Sequence, residues 1–216
     1  MNESNVELTK YLSEHFSNIP LESPLFYNAQ FGLRFELGVQ YRGGDNPFYF
    51  TNVVLRSSMI FREVFDANEQ MMFIVKSYSS IEPFTSFNQG VEVFPTYLKD
   101  KGLMKEVMTT EVARNYEENG DLYCITYQHV LICKMESIDY IGILEELAHQ
   151  DFAIDPHISD SVFFINPYKH IIYHMYDDRG MDLIAESKEA LSPIYQKYNS
   201  WILAYNKEQI DNIFSN

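Results

Sequence analysis

Ser161-Val-Phe-Phe-Ile-Asn166-Pro-Tyr-Lys-His170-Ile-Ile-Tyr-His174-Met-Tyr176-Asp-Asp-Arg-Gly180-Met-Asp-Leu-Ile-Ala185 decides the fold. The run reads as three strands, 161–166, 170–176 and 181–185, rich in β-branched and aromatic residues. Asn166-Pro167-Tyr168-Lys169 makes a tight turn between the first two. Asp177-Asp178-Arg179-Gly180 makes the second turn. Links this short join antiparallel neighbours, so the segment is a three-strand meander.

Working outward, Phe31-Gly32-Leu33-Arg34-Phe35-Glu36-Leu37 alternates apolar and other residues, which predicts a strand with one apolar face. Residues 71–78, 103–112 and 122–134 read as further strands. Helical spacing marks 4–16, and a stronger stripe runs through Phe50, Val53, Ser57, Ile60, Phe61 and Val64. Asn46-Pro47 is expected to start that second helix. A short helix is expected around 92–99, and Ser137 is expected to cap another through about 149. Ser192-Pro193 is expected to open a helix with the buried stripe Ile194, Tyr198, Trp201, Ile202 and Tyr205. Asn206 and Gln209 suit the cap of a last helix, 207–214. Strands in runs, with helices set between them, give an α+β fold: a mainly antiparallel sheet, helices packed on one face and a C-terminal helical pair. The 216 residues fit a single domain, 1–216, and any division into two lobes would fall near 100–120.

Several functions are excluded early. Net charge is −15 with a pI near 4.7, a surface that repels nucleic acid and anionic membrane. No apolar run approaches the ~20 residues that span a bilayer, and the first residues lack the basic start of a secretion signal. The expectation is a cytoplasmic protein. Cys124 and Cys133 sit in apolar strands and read as free thiols, since a metal site needs closer ligand spacing. No Gly-x-Ser-x-Gly, phosphate loop, dinucleotide fingerprint or His-Glu-x-x-His is present. No cofactor and no metal are implied, and the chain leans away from an enzyme.

Two groups of residues still invite a function. The first is polar: Asp177, Asp178 and Arg179 on a turn, with His174 just before them and Arg34 and Glu36 on one face of the early strand. Converging in one cleft, they would suit a hydrolase or a metal-dependent enzyme. The plainer alternative is that the aspartates cap their own turn and pair with Arg179. His170 and His174 share one strand face but stand roughly 13 Å apart, too far to hold one ion together. The second group is acidic. Residues 111–160 hold eleven carboxylates against only Arg114 and Lys134. Glu117, Glu118, Asp121, Glu145, Glu146, Asp151 and Asp155, with Tyr140 as an aromatic anchor, would make a surface that docks a basic protein.

Phe31–Gly38, Tyr176–Ala185 with Ser187-Lys188-Glu189, and Lys197–Leu203 carry a resemblance as well. They resemble an uncharacterised bacterial family of unknown function from Bacillus-like Gram-positives. The likeness covers most of the chain and brings no activity or site residue with it. Acidic proteins that resemble this one often sit in toxin–immunity gene clusters, and that likeness would imply an immunity-like role masking a basic partner such as a toxin domain. The leading expectation is therefore a non-enzymatic acidic binding protein, with the hydrolase as the alternative.

Overall fold

The meander forms as β5 (Ser161–Asn166), β6 (Ile171–Met175) and β7 (Gly180–Ala185) in the computed structural model, which describes residues 3–38, 47–80, 92–116, 122–152 and 154–215. Four more strands join it: β1 (Phe31–Glu36), β2 (Gln70–Ser80), β3 (Met108–Tyr116) and β4 (Leu122–Lys134). They form one antiparallel sheet in the order β1-β7-β6-β5-β2-β4-β3. The fold class is α+β.

β6 and β7 are buried at every position. Runs apolar on both sides need a cover on both faces, and the sheet has one. On the first face Leu33, Phe35, Phe73, Phe164, Tyr173 and Leu183 meet α2 (Tyr49–Val64), α3 (Val93–Tyr97), α4 (Tyr140–Ala148), α5 (Lys188–Tyr198) and α6 (Lys207–Phe214). Phe61 of α2 is its hub, stacked on Tyr140 and edge-on to Phe164 and Tyr173. Burying each such ring contributes about 2–3 kcal/mol. On the second face Met72, Ile74, Phe163, Ile165, Ile172 and Ile184 meet α1 (Glu3–His15) and the segment after it, through Leu8, Tyr11, Phe16, Ile19, Leu21 and Leu25. The helices expected on one face are there, and α1 is added on the other.

Several boundaries differ from the sequence reading, each for a local reason. β6 starts at Ile171 because His170 takes a left-handed φ of 50°. Residues 101–106 form a 3-10 turn rather than the start of a strand, since the Asp100 carboxylate accepts from Gly102 N at 2.8 Å. α4 is capped by Asp139, whose side chain accepts from Gly142 N, and not by Ser137. Ser187 caps α5 through Ala190 N, so Pro193 lies inside that helix and not at its start. The helix ends at Tyr198; Ile202 instead bridges to Phe35, and Tyr205 is exposed. Asn206 makes no side-chain cap to α6. Phe48 precedes α2 without a side-chain cap, and Asn46 lies outside the described residues.

Candidate functional site

Alternation along the strands builds the site. On the second face, the position that holds Ile184 on β7 and Ile172 on β6 recurs two residues along as Asp182 and His174. Arg34 of β1 is the cross-strand partner of Asp182, which in turn pairs with His174. A polar row thus crosses three strands at the end of the face that α1 leaves open.

The segment after α1 meets this row. Ser23 Oγ lies 2.5 Å from His174 Nε2, while His174 Nδ1 lies 2.8 Å from the carbonyl of Val162. The carbonyl can only accept, so Nδ1 carries the proton and Nε2 accepts the hydrogen bond from Ser23. Phe163 stacks on the imidazole with ring centroids 4.1 Å apart. Burial pushes His174 down to about 4; the Val162 carbonyl and the charge of Asp177 oppose it. His174 is therefore a neutral imidazole at pH 7. Asp182, fully buried, accepts from Phe26 N at 3.1 Å and lies 3.5 Å from Arg34 Nε. Burial pushes it up to about 6, against the pull of the Phe26 amide and Arg34. Arg34 donates from Nε to the Tyr176 hydroxyl and sits between the rings of Tyr27 and Tyr176, each about 5 Å away.

These groups open into a cleft of about 620 Å³, lined by Ser23, Arg34, His174, Tyr176, Asp177 and Arg179, with Leu147, Gln150 and Asp151 of the α4 end across from them. That volume suits a small organic ligand. Asp160 joins the lining, and burial pushes its carboxyl up to about 6.

The structure brings together four of the six polar residues singled out in the sequence: Arg34, His174, Asp177 and Arg179. Asp177 does cap its own turn, accepting from Arg179 N and Gly180 N. It also accepts from the Arg179 guanidinium, which reaches on to Asp151 at 3.0 Å. Gly180 is required here, because a Cβ would lie 2.9 Å from the Phe35 carbonyl oxygen. Asp178 turns to the first face, where it accepts from the Tyr49 hydroxyl, and does not line the cleft. Glu36 is also outside the lining; its backbone carbonyl accepts from Arg56. Carboxylates of Asp151, Asp177 and Asp178 approach within 4.8 Å of one another, but the cation among them is the protein's own Arg179.

Among the proposed docking residues, Glu117, Glu118 and Asp121 lie outside the described residues. Tyr140 is a core residue rather than a surface anchor: it stacks on Phe61 and its hydroxyl accepts from Arg62 at 2.7 Å. It lies on the buried face of α4 with Ile143, Leu144, Leu147 and Ala148. Asp151 is paired with Arg179, and Asp155 with His157. Glu146 is half-buried, and its carboxylate pushes up the Tyr97 hydroxyl, already raised by burial. Glu145 is exposed.

Sequence reasoning missed Ser23, Asp160 and Asp182. Asp182 did leave a signal, since a lone carboxylate interrupts an otherwise apolar strand. Ser23 left none, because its partner lies 151 positions away.

Among the described residues, no helix is long and apolar enough to cross a membrane. The chain is 26% identical over 211 residues to the uncharacterised protein YnaE of Bacillus subtilis (strain 168), covering 93% of this chain and 99% of that protein. No solved structure matches it. The profile of a bacterial family described as a domain of unknown function, DUF3885, matches residues 8–206, and the chain belongs to that family.

Proposed function

We propose that the cleft is a hydrolytic site for a small polar ester, with Ser23 as nucleophile and His174 as its base. One observation carries this reading: the hydroxyl of Ser23, an exposed residue at the cleft, donates to an imidazole whose other nitrogen is committed to a backbone carbonyl. A serine is a weak nucleophile until an adjacent base takes its proton, and the base must be held in the right tautomer. The Val162 carbonyl holds it here in place of a carboxylate. In the reaction the Ser23 proton passes to Nε2 as Oγ attacks the ester carbonyl. Asp177 and the Val162 carbonyl favour the imidazolium so formed, and that proton leaves with the alcohol. Water, giving its proton to the same Nε2, then attacks the acyl-Ser23 ester, and the acid departs as the proton returns to Ser23 Oγ. Arg34, fixed by Tyr176 and Asp182, supplies a cation for the developing oxyanion.

A fluorophosphonate probe tests this. The expected result is a single adduct on Ser23, found by peptide mass mapping, absent in Ser23→Ala and formed at least ~100-fold more slowly in His174→Gln. No adduct on the native chain, or an adduct that survives Ser23→Ala, overturns the reading.

A second reading, docking of a basic protein, is favoured by the edge strand β3. It exposes Val112 and Tyr116 next to Glu111, within a chain of net charge −15. Capture of a basic partner whose association slows with salt and with Glu111→Lys supports it; capture that neither alters counts against it.

A further inference from the structure

On the other end of the second face, away from the cleft, three donors from distant parts of the chain meet. His15 ends α1, His170 stands in the turn before β6, and Glu186 follows β7. His15 Nδ1 lies 3.1 Å from Glu186 Oε2, and His170 Nε2 lies 3.9 Å from the same oxygen. One ligand atom from each of the three falls within 4.8 Å of the other two. We infer that His15, His170 and Glu186 form a binding site for a divalent transition metal of the zinc type. The sequence reading implied no metal, because no two of these residues show ligand spacing.

Bonds of ~2.0–2.1 Å in tetrahedral geometry place neighbouring ligand atoms roughly 3.3–3.5 Å apart. The two measured separations bracket that value. Two imidazoles with one carboxylate form a three-ligand set that leaves a fourth position for water, and the nitrogen donors favour zinc, cobalt or nickel over magnesium or calcium. The fourth position has space: a hollow of about 330 Å³ lined by Tyr11, His15 and His170 opens beside the cluster.

Two features prepare His170 for the role. Tyr11 Oη lies 3.0 Å from its Nδ1; accepting from that nitrogen, it would hold the proton on Nδ1 when Nε2 takes the metal. A partner of this kind on the far nitrogen is the usual support of a metal-bound histidine. His170 also keeps a φ of 50°, a conformation few side chains other than Asn, Asp and His adopt readily, which turns its ring under α1. The His15 and His170 rings stack at 4.1 Å with 22° between planes, so loading requires the His15 ring to swing out of the stack.

The experiment is titration of untagged, chelator-stripped protein with zinc by calorimetry, and with cobalt by visible absorption. The expected result is one equivalent bound at micromolar or tighter affinity, with the cobalt spectrum of a four-coordinate site. His15→Ala and His170→Asn, the latter chosen because Asn tolerates the same backbone, should each weaken binding at least ~100-fold. Tyr11→Phe should weaken it ~10-fold. Ser23→Ala should bind as the native chain does, which separates this site from the cleft. Circular dichroism establishes that each variant is folded. No stoichiometric zinc or cobalt binding by the native chain, or native affinity in folded His15→Ala and His170→Asn, overturns the proposal.

Discussion

Asp182→Asn separates the electrostatic cost of the buried carboxylate from its structural role. The Asp182 carboxyl rises from 3.8 in the unfolded chain to about 6 in the fold. That rise corresponds to about 3 kcal/mol between the protonation states. The folded state holds its proton over pH 4–6 while the unfolded chain has released it. Stability from this group is thus fully present below pH 4 and is lost as pH rises through 6. Asparagine keeps an oxygen to accept from Phe26 N but does not titrate. The attraction of Arg34 acts only on the ionised carboxylate and is already contained in its folded-state value, so its loss adds nothing further to the pH slope of the difference. Between pH 4.5 and pH 7 the native chain should therefore lose about 2 kcal/mol relative to Asp182→Asn. Asp160 and His174 titrate in both proteins and cancel in the difference. Urea unfolding read by the fluorescence of Trp201, the single tryptophan, measures it. A stability gap that stays constant with pH, or that moves toward the native chain as pH rises, refutes the account of Asp182.

Other outcomes follow from the same geometry. Because burial holds His174 near 4, probe labelling of Ser23 should be half-maximal near pH 4 and flat to neutrality; an inflection near 6.5 would show an imidazole in water-like surroundings. Phe61→Ala should cost about 3–5 kcal/mol in urea unfolding, since the ring is fully buried against four aromatic neighbours; a loss below ~1.5 kcal/mol would deny it the hub position. Burial pushes the Cys133 thiol up to about 12, so a disulfide exchange reagent at pH 8 should modify Cys124 well before Cys133 in the folded protein and both alike in urea.

The meander was legible because its strands are short, continuously apolar and joined by turns with their own chemistry. β4, though longer and partly polar, also matched at both ends. Caps were read less well. Ser137, Ser192 and Asn206 are all plausible cap residues, but Asp139 and Ser187 capture the amides because tertiary contacts fix where each helix starts. The site was half legible. Arg34, His174, Asp177 and Arg179 share a strand face or a turn, which local periodicity reports. Ser23 and Asp160 arrive from loops, and no period links a loop residue to a strand face. Tyr140 was misread because an aromatic ring among carboxylates suits a surface anchor and a core stripe alike, and it is buried here with Ile143, Leu144 and Leu147.

How the second face is covered explains where the cleft lies. α1 and the following segment cover the strands as far as their apolar positions extend, and Leu25 is the last core residue of that cover. Past it, the same face carries Arg34, Asp182 and His174, groups that cannot lie under apolar cover without partners. The end of the cover supplies those partners from five successive residues: Ser23 Oγ for His174, Phe26 N for Asp182 and the Tyr27 ring for Arg34. Satisfying a buried histidine would explain any hydrogen-bonding side chain at position 23. It would not explain why the partner is exposed at the mouth of a cleft while the imidazole behind it is 1% exposed. A serine lining a cleft and backed by a buried, neutral imidazole with a fixed tautomer is what nucleophilic attack requires, and core packing alone has no need of it.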